Sequence, residues 1–399
     1  PHRYRRNRSY GVSETSRKRY NTFGLSHVQS RYEVVTMDRK IPLERFDDMP
    51  VMAPHILQEP DNQPNAAIVR LNLNENPLPP SPNAIAAMHD AVNIANRYPD
   101  HSCSALAQII SARIGISTDR LVFGNGSGEM LFAAAAIAVD RNEQAVLPGP
   151  TFAPVGKNVR LAGGELVTVP VLDNGSNNVA AMLDAVNEHT ALFYLCTPNS
   201  PTGGMLEAEQ IKLAVDRVPS DCLLMVDEAY HEFAAWEGGP DVLSLLAGRN
   251  GPWAVIRTFS KAYGLSGARI GYAITGNRAL AVGFSKVRIG FNVNRIALAG
   301  ACAAMRDQNY LEMVLDTVCR ERQRLSVALQ NHGLHVYPSA ANFLLARTNK
   351  PSNIIAAKLE KHHILVQTLP WPDDNGSLRI TIGTTAENDA FLNALTDAL

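Results

Sequence analysis

Cys222-Leu223-Leu224-Met225-Val226-Asp227-Glu228-Ala229-Tyr230 is an apolar run that stops abruptly at two acids. Such a run is short for a buried helix and lacks the alternation of a half-solvated strand, so it suits a strand buried on both faces of a parallel sheet. Outward from it, residues 120–123, 143–147, 165–169, 191–195 and 253–257 repeat the pattern, bounded by Gly, Pro, Asn or Asp. Helical patterns over residues 128–139, 179–188 and 207–217 lie between them. The alternation predicts an α/β fold with a mostly parallel sheet flanked by helices. Beyond about Asn294, a long helical region at 296–332 leads into shorter strands near 335–337, 342–346, 364–367 and 377–382, which predicts a smaller α+β domain. The expected division is a basic leader at 1–36, an N-terminal arm at 37–89, a large domain at 90–294 and a small domain at 295–399.

In an open parallel sheet, chemistry gathers where chains leave the carboxyl ends of strands. Those positions hold Gly124-Asn125-Gly126-Ser127-Gly128-Glu129, Pro148-Gly149-Pro150-Thr151-Phe152, Thr197-Pro198-Asn199-Ser200-Pro201-Thr202-Gly203, Asp227-Glu228-Ala229-Tyr230 and Thr258-Phe259-Ser260-Lys261. Each has a plain explanation alone: the glycines as a turn, Asp227 as a helix cap, Lys261 as a surface lysine, Phe152 as core filling. A lysine, an aspartate, an asparagine, a phenylalanine and a Gly-Ser-Gly helix start at the strand ends of one sheet describe more. They form a pocket for a phosphorylated aromatic ring carrying an aldehyde.

Composition limits the alternatives. The chain has 399 residues and a formal net charge of −1, which argues against a nucleic-acid coat or a polybasic membrane binder. Its longest apolar stretches, such as 131–139, reach about half of the roughly 20 residues that a membrane span needs. Five scattered cysteines show no C-x-x-C pair, and no H-E-x-x-H helix completes a metal site, so no metal and a reducing, cytoplasmic setting are expected. Residues 1–36 carry eight basic and two acidic residues. That stretch fits an organelle transit peptide, a basic arm for nucleic acid, or a solvated leader before Met37; it is read here as the leader, outside the fold.

The run Ser260-Lys261-Ala262-Tyr263-Gly264-Leu265-Ser266-Gly267-Ala268-Arg269-Ile270-Gly271-Tyr272 resembles the lysine signature of fold type I pyridoxal 5'-phosphate enzymes, aminotransferase class I/II. Leu73-Asn74-Glu75-Asn76-Pro77, Arg97-Tyr98-Pro99-Asp100, Pro198–Gly203, Val226–Tyr230, Pro338–Phe343 and Leu378–Thr384 are similar to its histidinol-phosphate aminotransferase branch. The matches span roughly residues 70 to 385 in family order.

The resemblance implies roles for these residues. Lys261 would hold the cofactor aldehyde and then shuttle the substrate proton. Asp227 would keep the ring nitrogen protonated, Asn199 and Tyr230 would bond the phenolic oxygen, and Phe152 would stack on the ring. The phosphate would rest on the N–H groups of Ser127, Gly128 and Glu129, with Ser260 and Arg269 beside it. Tyr98 would reach the phosphate of a neighbouring subunit, which implies a homodimer with shared active sites. Arg379 would grip the carboxylate of glutamate or 2-oxoglutarate in one half-reaction and the substrate phosphate in the other. Asn342 and Asn76 are taken as substrate-side residues.

The implied activity is transamination of L-histidinol phosphate with 2-oxoglutarate, in histidine biosynthesis. An aromatic or other amino-acid aminotransferase, or a phosphothreonine-type decarboxylase, is the alternative on the same fold. A DNA-binding regulator of this fold is disfavoured, because 36 residues without an amphipathic pattern cannot make a helix-turn-helix domain. Two departures bear on substrate choice: Gln367 stands where many relatives carry arginine, and Phe152 where tyrosine is common. Lys286 and Arg288 are candidates for compensating cations.

Overall fold

The computed structural model describes residues 68–399. The leader at 1–36 and most of the arm expected at 37–89 lie outside the described residues. Twelve strands are present among those described: β1 (Val69–Leu71), β2 (Leu121–Gly124), β3 (Gln144–Gly149), β4 (Glu165–Pro170), β5 (Thr190–Cys196), β6 (Leu223–Asp227), β7 (Trp253–Thr258), β8 (Gly271–Thr275), β9 (His335–Val336), β10 (Phe343–Arg347), β11 (Ile364–Leu369) and β12 (Ser377–Thr381).

Seven of them form a sheet in the order β2-β8-β7-β6-β5-β3-β4. All neighbours are parallel except β8, which runs antiparallel to both β2 and β7. Every residue of β6 and β7 is buried, as the apolar runs Leu223–Val226 and Trp253–Ile256 lead one to expect, and so are Asp227, Arg257 and Thr258 at their ends. Alternation then divides the side chains between two layers. Leu224, Val226, Val255 and Phe193 enter one apolar cluster, while Leu223, Met225, Ala254, Ile256 and Tyr194 enter another.

The second layer is covered by the helix Ser127–Ala138, which buries Met130, Leu131 and Ala133 to Ala135. Its entry is set by two glycines. Gly126 has φ +76°, a conformation with little cost only without a side chain, and a Cβ there would strike the Arg269 guanidinium. A Cβ on Gly271 would collide with the Ser127 backbone nitrogen. The glycines therefore press the lysine-bearing segment against the helix start.

The remaining five strands form a second sheet, β1-β11-β12-β10-β9, parallel only between β1 and β11. Two expectations change here. The segment at 296–332 is two helices, Arg295–Arg306 and Gln308–Asn331, because Asp307 leaves helical geometry at φ −92°, ψ 68°. Residues expected only as part of an arm supply β1, whose Val69 pairs with Ile364. Among the described residues, no helix is long and apolar enough to cross a membrane.

Candidate active site

Between the two sheets lies a cavity of about 510 Å³. Lys261 and Asp227 both line it, as do Tyr230, Phe152, Ser127, Gly128, Ser260, Arg269 and Arg379. All but Arg379 arrive from a strand end or the segment that follows one. Asp227 closes β6, Tyr230 follows three residues later, and Ser260 and Lys261 follow β7. Arg379 comes from the other sheet, on β12.

Asp227 is only 3% exposed. Its Oδ2 accepts from the Tyr194 hydroxyl at 2.9 Å and its Oδ1 from the Ala229 N–H at 3.1 Å. Burial pushes its carboxyl up to about 6, against the downward pull of those two donors. Lys261 moves the other way. Burial, then the Arg379 charge and more weakly that of Arg269, bring its amine down to about 7, opposed by Glu75. An amine at that value supplies its neutral, nucleophilic form near neutral pH.

The Lys261 Nζ donates to the main-chain oxygens of Leu73 at 3.2 Å and Asn74 at 2.9 Å. These belong to the turn between β1 and the helix Pro82–Val92, which ties the cavity together. Asn74 donates from Nδ2 to the Tyr230 hydroxyl at 2.8 Å, and its own N–H donates to Thr381 Oγ1 on β12 at 2.9 Å. Its φ of +53° is one that asparagine tolerates better than most residues. Two residues earlier, Asn72 offers its carbonyl to Arg379 Nη2 at 2.6 Å.

Arg379 keeps binding capacity in reserve. Its Nε is buried with no hydrogen-bond partner among the described residues, and its guanidinium lies 5.6 Å over the Phe343 ring. A half-buried cation with an unused, buried donor on a cavity wall is poised for an anion. At the opposite wall, the helix Ser127–Ala138 begins without a side-chain cap, so its first N–H groups are not spent on one. Arg269 stands beside it, its Nη1 donating to the Ser266 carbonyl at 3.0 Å. Amine, buried carboxylate, helix start and guanidinium fit the phosphorylated pyridine aldehyde implied by the sequence.

Five expected residues sit differently. Asn199 spends both amide hydrogens, on the Pro150 carbonyl at 2.9 Å and Thr202 Oγ1 at 2.7 Å, while its Oδ1 accepts from Thr151; it is not on the cavity wall. Its neighbour Ser200 lines the cavity instead, as Tyr230 does. Adjacent residues in an irregular loop point apart, and sequence cannot tell which one turns inward. Glu129, expected through its backbone N–H, is not on the cavity wall; its carboxylate accepts from the Asn125 N–H at 2.6 Å and Asn292 Nδ2 at 2.8 Å.

Asn76 donates to the carbonyls of Lys261 and Ala262, each at 3.0 Å, so it braces the lysine loop from behind. Asn342 donates to the carbonyls of Asn74 and Glu75, each at 3.1 Å, and is wholly buried. Both asparagines hold backbone and neither lines the cavity. Tyr98 also lies off the cavity wall, 77% exposed and stacked at 4.5 Å on Phe291. Of the possible compensating cations, neither Lys286 nor Arg288 lines the cavity; Arg288 donates to the carbonyls of Phe123 and His101. Gln367 is the cross-strand neighbour of Arg379 and donates to the carbonyl of Thr368.

Comparison with known proteins follows the same outline. Residues 66–395 match the family model for aminotransferase class I and II. The chain is 35% identical to histidinol-phosphate aminotransferase 2 of Carboxydothermus hydrogenoformans over 82% of its length and 90% of that protein. It is 34% identical to histidinol-phosphate aminotransferase 1 of Mesorhizobium japonicum, over 84% of this chain and 91% of the relative. Among solved structures, histidinol-phosphate aminotransferase from Sinorhizobium meliloti in complex with pyridoxal 5'-phosphate superposes with a TM-score of 0.82 at 30% identity. The match covers 91% of this chain and 98% of that one.

Proposed function

The chain belongs to the class I and II aminotransferases, and on that footing we propose that it transfers the amino group of L-histidinol phosphate to 2-oxoglutarate with pyridoxal 5'-phosphate as cofactor. The observation that carries this is the meeting of Lys261, Asp227 and Arg379 on the walls of one cavity, drawn from the segment after β7, the end of β6 and the middle of β12. When bound, the cofactor supplies an aldehyde that joins amines covalently and a ring that accepts the electron pair released at the substrate Cα.

The chain's own residues do the rest. Lys261 anchors the aldehyde and afterwards carries the proton to and from the substrate Cα. Asp227 holds a proton on the ring nitrogen through a charge-assisted hydrogen bond. Tyr230 and Ser200 serve the phenolic oxygen, Phe152 covers a ring face, and the N–H groups at Ser127 and Gly128, with Ser260 and Arg269, take the phosphate. Arg379 receives the carboxylate of the donor and the substrate phosphate in turn.

A homodimer with Tyr98 reaching into its partner's site is part of this reading, supported by the exposure of Tyr98, of Phe291 on which it stacks, and of Ile289. So is a large domain at 90–294 around the seven-stranded sheet and a small one at 295–399, with β1 lent by the arm. A cytoplasmic location accords with five cysteines that all stand as free thiols.

Gln367 beside Arg379 favours one alternative, an amino acid without a phosphate, because Arg379 has no cationic cross-strand neighbour on β11. Turnover of histidinol phosphate, phenylalanine, histidine and phosphothreonine, compared side by side, tests both. Preference for histidinol phosphate upholds the proposal; preference for phenylalanine or histidine replaces its substrate, and loss of carbon dioxide from phosphothreonine replaces its reaction.

A further inference from the structure

Tyr194 occupies an unusual place for a phenol. It lies in β5 and is fully buried in the apolar layer formed with Leu223, Met225, Ala254 and Ile256. A phenylalanine would fill nearly the same volume without bringing a hydroxyl that must be satisfied there. The hydroxyl is satisfied by one carboxylate: it donates to Asp227 Oδ2 at 2.9 Å.

Strand register explains how it gets there. Cys196 is the direct neighbour of Asp227 across β5 and β6, and Tyr194 is the neighbour of Met225. Residues two apart on a strand share a face, so Tyr194 stands one pleat deeper on the same side as the carboxylate. Its ring spans that step. Ala229 N–H secures the other carboxylate oxygen at 3.1 Å, so two donors fix the carboxylate plane, one on each oxygen.

Resting on the cofactor assignment above, we infer that Tyr194 is a positioning residue: its hydroxyl orients the Asp227 carboxylate and keeps it anionic for the ring nitrogen. Burial and the neighbouring carboxylate push the Tyr194 phenol well above its ordinary value, so it remains a donor throughout the working pH range. Burial alone would favour a neutral Asp227, and Tyr194 is the strongest of the groups opposing that. The other titratable groups around the carboxylate do not replace it. Glu228, next along the chain, disfavours the anion and is itself paired with Arg257 at 2.8 Å. On β5, the Cys196 thiol is raised beyond any useful range by burial, and β7 presents the apolar Ile256 in register.

The test is cofactor affinity of the apo protein, titrated by absorbance between about pH 6 and 8.5, for wild type, Tyr194→Phe, Asp227→Asn and the double variant. Tyr194→Phe should weaken affinity about tenfold near neutrality, the loss of one hydrogen bond to a charged group. The deficit should grow toward low pH, because the carboxylate then protonates at a higher pH than in wild type. Turnover should fall through kcat with the KM of the amino donor unchanged. In the Asp227→Asn background the second change should add nothing. A pH-independent loss, or equal loss with and without Asp227, would overturn the inference and leave Tyr194 as packing. Unaltered affinity in Tyr194→Phe would overturn it too. Wild-type protein that takes up no pyridoxal 5'-phosphate would instead overturn the cofactor assignment, which separates the two failures.

Discussion

The Asn74 side-chain amide donates to the Tyr230 hydroxyl at 2.8 Å, while the Asn74 backbone N–H donates to Thr381 on the other sheet. A single residue thus joins the end of the seven-stranded sheet to the five-stranded one at the floor of the cavity. The left-handed backbone of Asn74 makes glycine the clean probe. Asn74→Gly should keep the turn but leave the Tyr230 hydroxyl short of a partner, at a cost of about 1–3 kcal/mol. Urea denaturation measures this, and an unchanged midpoint would mean that water or Ser200 replaces the amide fully.

Lys261 predicts a pH profile. Its amine is brought from 10.5 to about 7 by burial and nearby guanidinium charge, so the reactive neutral form grows as pH rises through that value. Incorporation of pyridoxal 5'-phosphate into apo protein should therefore accelerate between about pH 6 and 8 and then level off. Stopped-flow absorbance reads the rate. Continued acceleration toward the ordinary lysine value would show an amine in contact with bulk water.

Arg379→Lys should preserve charge and lose the fork. The kcat/KM for glutamate should fall about ten- to a hundredfold, the range for charged hydrogen bonds, while cofactor retention on gel filtration stays near wild type. Parallel loss of both would place Arg379 at the cofactor instead.

Ser200 and its neighbour predict opposite outcomes. Ser200→Ala should move the pH-dependent absorbance transition of the bound cofactor with little change in melting temperature. Asn199→Ala, which removes contacts to Pro150, Thr151 and Thr202, should lower the melting temperature and move the transition less. The reverse pattern would restore Asn199 to the ring oxygen.

Much of the architecture was legible because burial writes itself into composition. The apolar runs Leu223–Val226 and Trp253–Ile256 marked strands hidden on both faces, and the residues at and after their ends led to Asp227, Tyr230 and Lys261. The strand β8 escaped notice because Gly271 opens it and its pairing with β2 and β7 is non-local. Asn76 and Asn342 resemble substrate-side residues in sequence, yet their partners are backbone carbonyls, which no alphabet of side chains records. Tyr194 was hidden for a related reason: within residues 191–195 it counts as one more apolar letter, and only the register of β5 against β6 reveals its hydroxyl as a partner of Asp227.

The turn after β1 has a genetic consequence. Four successive carbonyls, from Asn72 to Glu75, receive Arg379, Lys261 and Asn342. Every amino acid carries that oxygen, so point mutations there cannot delete the acceptors. An insertion or deletion of one codon would shift all four out of phase at once, so apart from Asn74, whose side chain is itself engaged, this stretch is more sensitive to length than to spelling.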